Sequence, residues 1–170
     1  VGYFSSTMLT EVSSGLEAFC RNNGQIKMVC SPILLPEDLE AIRTGDQARN
    51  QALLEERTSS TIEEFLNDNQ DAETCSRFQL LSKMIEVGTL EIKFAAGRRS
   101  GGSSLSLFHE KLGIFEDAHD DFLAFVGSSN EGYMGLNHNV ETITVHKSWT
   151  PGEHSTVLRD RFFKVWEGED

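Results

Sequence analysis

The segment His109-Glu110-Lys111 places an imidazole and a fixed positive charge two residues apart. Alternate side chains of an extended strand point to the same face, so we expect His109 and Lys111 to point the same way. A histidine can act as a nucleophile or as a proton carrier, and a lysine can balance negative charge beside it. The pair is typical of phosphoryl chemistry.

A second motif, Gly127-Ser128-Ser129-Asn130, follows an apolar run that we interpret as a strand. It offers a hydroxyl, an amide and exposed backbone N–H groups where the strand ends and a helix is expected to begin. Such a turn is a natural phosphate site. Glu141 lies eleven residues beyond Asn130.

The elements that would position these motifs alternate between strands and helices. Apolar spacing predicts a helix over 8–22 that Asn23-Gly24 ends, a largely helical stretch over 37–88 with a break near 67–71, and a helix at the end of the chain. Predicted strands cover 2–6, 26–30, 90–94, 105–111, 113–116, 122–126 and 140–145. The Gly/Ser-rich stretch 97–104 is expected to be a loop. The pattern predicts an α/β fold with a mixed sheet covered by helices.

Length and composition fit one domain spanning residues 1–170, with 38% hydrophobic and 25% charged residues. The apolar runs are shorter than the roughly 18 residues that a membrane span needs, so we expect no membrane partner. The three cysteines have neither disulfide-framework nor zinc-knuckle spacing, which favours buried thiols in the cytoplasm. The chain begins at Val1, and we expect it to be a fragment of a longer protein.

The net charge of −12 is unusual for a nucleic-acid enzyme, because phosphate affinity normally depends on a basic surface. The acidic residues concentrate in the stretch 37–73 and in the last four residues, whereas several cations lie near the motifs. A small basic site on an acidic protein is compatible with this distribution. Strong unaided binding to long duplexes is not favoured.

Together, His109-x-Lys111 and Gly127-Ser128-x-Asn130 resemble the paired motifs of the phospholipase D superfamily. The opening Gly2-Tyr3-Phe4-Ser5, followed by a predicted helix, is similar to phospholipase D-like nuclease domains of bacterial restriction enzymes and of helicase-linked proteins. The stretch 108–115 and Asn139-x-Glu141 look closest to the helicase-linked group. The resemblance implies a phospholipase D-like fold, an α/β mixed sheet flanked by helices on both faces.

The chain departs from that family pattern in two places. Glu116 stands where the family often has an aspartate that is chiefly structural, and Asp117 follows it. The spacing to Gly127 is also a few residues longer, which we interpret as a hairpin loop through 117–121.

The resemblance implies roles for five residues, with no metal and no cofactor. His109 attacks phosphorus and forms a phosphohistidine, and the partner subunit's His109 protonates the leaving oxygen and then activates water. Lys111, Ser128 and Asn130 hold the nonbridging oxygens. Glu141 accepts a hydrogen bond from the other nitrogen of His109. Because the chain has only one His-x-Lys, a homodimer with the site at its two-fold interface is implied.

Four further residues are candidates for substrate binding, and three of them have a plainer alternative. Arg98 and Arg99 either clamp a nucleic-acid backbone or are a solvated loop pair. Asn139 either approaches the substrate or shapes a turn. Ser129 lies inside the predicted phosphate turn. Glu141 has an alternative too, as a solvated strand residue.

Three functional hypotheses follow. The leading one is a metal-independent nuclease that cleaves DNA as a homodimer, in a restriction or phage-defence protein whose helicase domain supplies most of the DNA affinity. The second is a catalytically weak DNA-binding or dimerisation module of a helicase, which the acidic charge favours. The third, phospholipid hydrolysis or phosphatidyl transfer, is disfavoured by the missing membrane signals and by the single motif.

Overall fold

The structure is a computed structural model. It describes residues 4–31, 34–54, 62, 64–65, 77–98, 105–127, 142–152 and 154–169. Contacts divide these residues between two compact units, a motif-bearing unit over 29–31 and 93–170 and a helical unit over 4–28 and 32–92.

Helices and strands follow the expected order from the first helix onward, whereas the strand predicted over 2–6 is wrong at Ser5 and Ser6, which lead directly into a helix. The helices are α1 (Thr7–Glu11), α2 (Ser13–Arg21), α3 (Pro36–Leu54), α4 (Arg77–Glu86) and α5 (Ser155–Glu167). The strands are β1 (Ile26–Cys30), β2 (Leu90–Phe94), β3 (Ala96–Arg98), β4 (Leu105–Leu107), β5 (Leu112–Glu116), β6 (Phe122–Gly127) and β7 (Ile143–Lys147). The predicted α/β class is therefore confirmed.

The predicted helix over 8–22 is divided into α1 and α2. Val12 separates them with a non-helical φ of −106° and ψ of 15°, and it is both the last capping residue of α1 and the first of α2. The predicted stop is confirmed, because Asn23 adopts a left-handed φ of 58° after α2. Leu9, Leu16 and Cys20 are buried, so the apolar stripe remains core-facing across the break.

The helical unit is held by close packing of α3 against α4. A Cβ added at Gly45 would lie 2.5 Å from the carbonyl oxygen of Ser82 and 2.9 Å from Cβ of Ile85, so a glycine is needed at this approach. Leu81, Met84 and Ile85 of α4 are buried, as their helical spacing predicts. The predicted break over 67–71 lies outside the described residues.

The described strands form three small sheets. β1 pairs with β2, and hydrogen bonds from Ile26 N to Thr89 O and from Ala95 N to Cys30 O show that the two strands run parallel. β3 pairs with β4, and β6 lies between β5 and β7, all antiparallel. Parallel and antiparallel pairings are thus both present.

The loop predicted over 97–104 is wrong at its start. Gly97 and Arg98 belong to β3 and pair with Ser106 and Leu105 of β4. Glycine and serine composition favours a flexible loop, but the cross-strand ladder overrides this local preference. Residues 99–104 lie outside the described part of the chain.

The helix predicted at the end of the chain is confirmed as α5, which packs on one face of the three-stranded sheet. Phe122 and Ala124 of that sheet and Trp166 of α5 are all buried. Lys93 fixes the end of α5, because its Nζ donates to the carbonyl oxygen of Trp166 at 2.7 Å and lies 4.2 Å from the indole ring centre. Gly168 then ends the helix with a left-handed φ of 75°.

Two of the three cysteines are described, and both are buried free thiols, as expected. Burial, together with the nearby Glu17 carboxylate, raises the pKa of Cys20 to about 11. Burial likewise raises the pKa of Cys30 to about 11. None of the helices in the described ranges is long and apolar enough to cross a membrane.

Candidate active site

The segment that carries His109 and Lys111 joins two sheets instead of continuing a strand. The strand predicted over 105–111 is wrong beyond Leu107, where β4 ends. Residues 108–111 have no strand ladder, because β4 pairs with β3 whereas β5 begins at Leu112 and pairs with β6. The strand argument for a common face therefore does not apply to His109 and Lys111.

The two side chains nevertheless meet. Nζ of Lys111 lies 3.0 Å from Nδ1 and 2.9 Å from Nε2 of His109, and 3.5 Å from the His109 carbonyl oxygen. His109 is exposed and Lys111 is half-buried. A negatively charged oxygen at this imidazole edge would therefore be within reach of both side chains. The predicted pairing of an imidazole with a cation is confirmed.

The backbone brings the beginnings of the other predicted motifs to the same end of the sheet. The amide of Gly127 donates to the carbonyl oxygen of Lys111 at 3.2 Å. On its other side, Gly127 is paired in register with Ile143, the first residue of β7. Gly127 opens the Gly-Ser-x-Asn motif, and Ile143 follows Glu141 by two residues. Lys111, Gly127 and Ile143 thus meet at one end of the three-stranded sheet.

The close approach of β6 to the backbone before β7 requires a glycine at position 127. A Cβ added at Gly127 would lie 2.6 Å from the carbonyl oxygen of Thr142 and 3.1 Å from a side-chain carbon of Ile143. Because the first clash is with backbone, no rotation of a side chain relieves it. Gly127 therefore lets β6 and β7 meet where both strands leave the sheet.

The hairpin predicted over 117–121 is confirmed between β5 and β6. Oδ1 of Asp117 accepts from the backbone N–H of His119 at 2.8 Å and of Asp121 at 3.1 Å, and Asp120 adopts a left-handed φ of 65°. These bonds give Asp117 a role in shaping the turn. The His119 side chain is 87% exposed.

Two ion pairs attach β5 and the segment before it to helix α5. The sequence did not predict either pair. Arg161 makes a two-pronged contact with Glu110, and Nη2 of Arg159 lies 3.2 Å from Oε1 of Glu116. The partners are separated by some forty to fifty residues, and no periodicity links them. Only the packing of α5 against the sheet reveals them.

Most of the other site predictions lie outside the described residues. They are Arg99, Ser128, Ser129, Asn130, Asn139 and Glu141. Arg98 has its backbone in β3. Within the described ranges, no group of three or more His, Cys, Asp or Glu side chains could hold a metal ion.

The helical unit contains a separate open groove of about 800 Å³ between α3 and α4. Phe65, Phe78 and Ala41 supply apolar surface, and Glu37 and Glu40 are among its polar lining residues. Its described lining residues include no histidine or cysteine, and we assign no chemistry to it.

Comparison with known proteins found no matching family model, no matching curated protein and no matching solved structure.

Proposed function

We propose that this chain is a phosphodiesterase that cleaves DNA through a phosphohistidine intermediate without a metal ion. The chain would belong to a cytoplasmic restriction or phage-defence protein that is linked to a helicase. The sheet would belong to a phospholipase D-like fold in which α5 covers one face and a partner subunit covers the other. The motifs His109-x-Lys111 and Gly127-Ser128-x-Asn130 suggested this reaction class.

The observation that carries the proposal is that Lys111, Gly127 and Ile143 meet at one end of the three-stranded sheet. The Lys111 carbonyl oxygen bonds to Gly127, and Gly127 pairs with Ile143, while the Lys111 ammonium contacts the His109 ring. A nucleophile, a cation and the beginning of a phosphate-binding turn are the parts that phosphoryl transfer needs at one point. Scattered motifs would not support this function.

In the proposed first step, a ring nitrogen of His109 attacks phosphorus while the bond from phosphorus to the leaving oxygen breaks. The partner subunit's His109 gives that oxygen a proton. In the second step the partner subunit's His109 takes a proton from water, the water oxygen attacks phosphorus, and the bond between nitrogen and phosphorus breaks. Lys111, Ser128 and Asn130 would stabilise the negative charge, and Glu141 would orient the imidazole.

A homodimer is part of the proposal, because one chain has only one His-x-Lys. The sheet face opposite α5 supports this idea. It presents Phe115, Ile143 and Val145, which are 67%, 50% and 50% exposed, and Phe115 stacks on Phe125. An apolar patch of this kind is typical of surfaces that bind another protein, and a two-fold dimer needs a patch that matches itself.

The acidic charge is compatible with a nuclease domain that does not hold DNA alone. With a net charge of −12, the chain would repel a polyanion, so a linked helicase would supply most of the affinity. The same charge favours the second candidate, a DNA-binding or dimerisation module with weak or no catalysis. Arg98, Arg99, Ser129 and Asn139 remain candidates for contacts with the DNA backbone.

Cleavage of labelled single- and double-stranded DNA in excess EDTA tests the proposal, at a concentration where light scattering gives a dimer. We expect cleavage by the wild type and a loss of at least 1,000-fold in His109→Ala, by analogy with other nucleophile deletions. His119→Ala is the matched control, because His119 is exposed on the β5–β6 turn. That variant should cleave like the wild type.

A verified dimer that cleaves no DNA would contradict the nuclease and favour the binding module. Cleavage that stops in EDTA and returns with a divalent metal would contradict the metal-independent mechanism. A lipid ester assayed beside the oligonucleotide distinguishes the third hypothesis, phospholipid hydrolysis. Hydrolysis of the ester alone would replace DNA with lipid as the substrate.

A further inference from the structure

The segment 108–111 crosses between two sheets, and the bond from the Gly127 amide to the Lys111 carbonyl oxygen holds its last residue. A further anchor holds its middle. Glu110, between His109 and Lys111, provides it. Nε of Arg161 donates to Oε1 of Glu110 at 3.1 Å, and Nη2 of Arg161 donates to Oε2 at 3.0 Å. Two parallel charge-assisted bonds fix the orientation of a carboxylate as well as its position.

This contact has a consequence for the neighbouring side chains. Glu110 is flanked on both sides by the residues proposed for catalysis, so fixing its side chain on α5 restricts the backbone that carries them. We propose that Arg161 is a positioning residue, which orders His109 and Lys111 by holding Glu110 against α5. The expected effect on cleavage rests on the proposed function, whereas the ordering itself does not.

The chain contains a matched control in the other ion pair of β5. Arg159 and Glu116 join the far end of the strand to the same helix at 3.2 Å, and the side chains of the two pairs are similarly exposed, at 31–40%. Glu116 is the last residue of β5, at the end of the strand farthest from His109. If any ion pair to α5 affected activity through general stability, both pairs would matter equally.

Substitution of each glutamate tests the proposal. We expect Glu110→Gln to lower kcat by about 10- to 100-fold with little change in KM, because a mispositioned nucleophile loses rate more than binding. Glu116→Gln should stay within about twofold of the wild type, as the loss of an exposed ion pair predicts. Arg161→Lys should resemble Glu110→Gln, because lysine keeps the charge and loses the two-pronged contact.

Reversal of the pair provides a rescue. The double variant Glu110→Arg with Arg161→Glu should recover part of the rate that either single reversal loses. Equal losses in Glu110→Gln and Glu116→Gln, or no recovery in the double variant, would overturn the positioning role.

A second readout separates this inference from the proposed function. Side-chain NMR of the histidine rings should show one ordered His109 signal in the wild type and in Glu116→Gln, and a broadened or averaged signal in Glu110→Gln. His119 serves as an internal reference, because it is exposed on a turn. If the wild type cleaves no DNA, the proposed function fails, and the His109 signal still decides the positioning role. An unchanged His109 signal in Glu110→Gln would refute it.

Discussion

The Lys111 ammonium lies within 3.0 Å of both ring nitrogens of His109. A neutral imidazole has one acceptor nitrogen, so at any moment the ammonium can donate to only one of the two. The ammonium therefore lies close to whichever ring nitrogen carries the lone pair that would attack phosphorus. A phosphoryl oxygen that enters between them would accept a hydrogen bond from the lysine ammonium and leave the ring nitrogen directed at phosphorus.

The close approach at Gly127 leads to a prediction at the same scale. We expect Gly127→Ala to destabilise the fold by about 1–3 kcal/mol, because the added Cβ would lie 2.6 Å from the backbone oxygen of Thr142. Gly15→Ala is the matched control. Gly15 lies inside α2 with nothing within 4 Å of an added Cβ, so alanine should stabilise by about 0.5–1 kcal/mol.

Urea unfolding of the two variants measures this difference. A Gly127→Ala chain as stable as the wild type would contradict the close approach of β6 and β7. It would also weaken the argument that the motif segments begin at neighbouring points.

At the scale of elements, the sequence predicts most of the described helices and strands. The period of the apolar residues locates β1, β2, β5, β6 and α5, since burial of one face dictates that period. The misses have physical causes. Val12 breaks a continuous helical stripe, and β3 forms from Gly97 and Arg98 because a neighbouring strand supplies hydrogen bonds that composition does not encode.

The candidate site was predictable in part, for similar reasons. The contact of His109 with Lys111 follows from short spacing, although the regular strand invoked to explain it is absent at 108–111. The bond of Glu110 to Arg161 joins segments 51 residues apart and depends on how α5 packs against the sheet. Such long-range contacts require the fold, because residue type and spacing say nothing of them.

At the scale of the whole molecule, the proposed active site needs two chains, because each chain has one His-x-Lys motif. The apolar face of β5, β6 and β7 opposite α5 is the candidate interface. Val145→Lys places a charge in that face while it leaves the buried α5 side unchanged. We expect this variant to sediment as a monomer and to lose cleavage, because each monomer would hold half of the proposed catalytic groups.

Thr144→Lys is the control for that experiment, because Thr144 is exposed and pairs with Val126, on the sheet face that bears α5. It should remain dimeric and active. Analytical ultracentrifugation and circular dichroism together separate a lost dimer from a lost fold. A folded, dimeric Val145→Lys variant would contradict this interface.

The central claim is that His109 carries the phosphoryl group, and trapping the intermediate tests it most directly. Excess enzyme is mixed with DNA labelled with ³²P at the scissile phosphate, quenched in alkali at successive times, and digested. Phosphohistidine survives alkali and is lost in acid, so we expect an alkali-stable, acid-labile label on the peptide that contains His109, rising and falling with cleavage. The label should be missing in His109→Ala and retained in His119→Ala. Cleavage by the wild type with no label on that peptide at any time, or a label on another residue, would contradict the account.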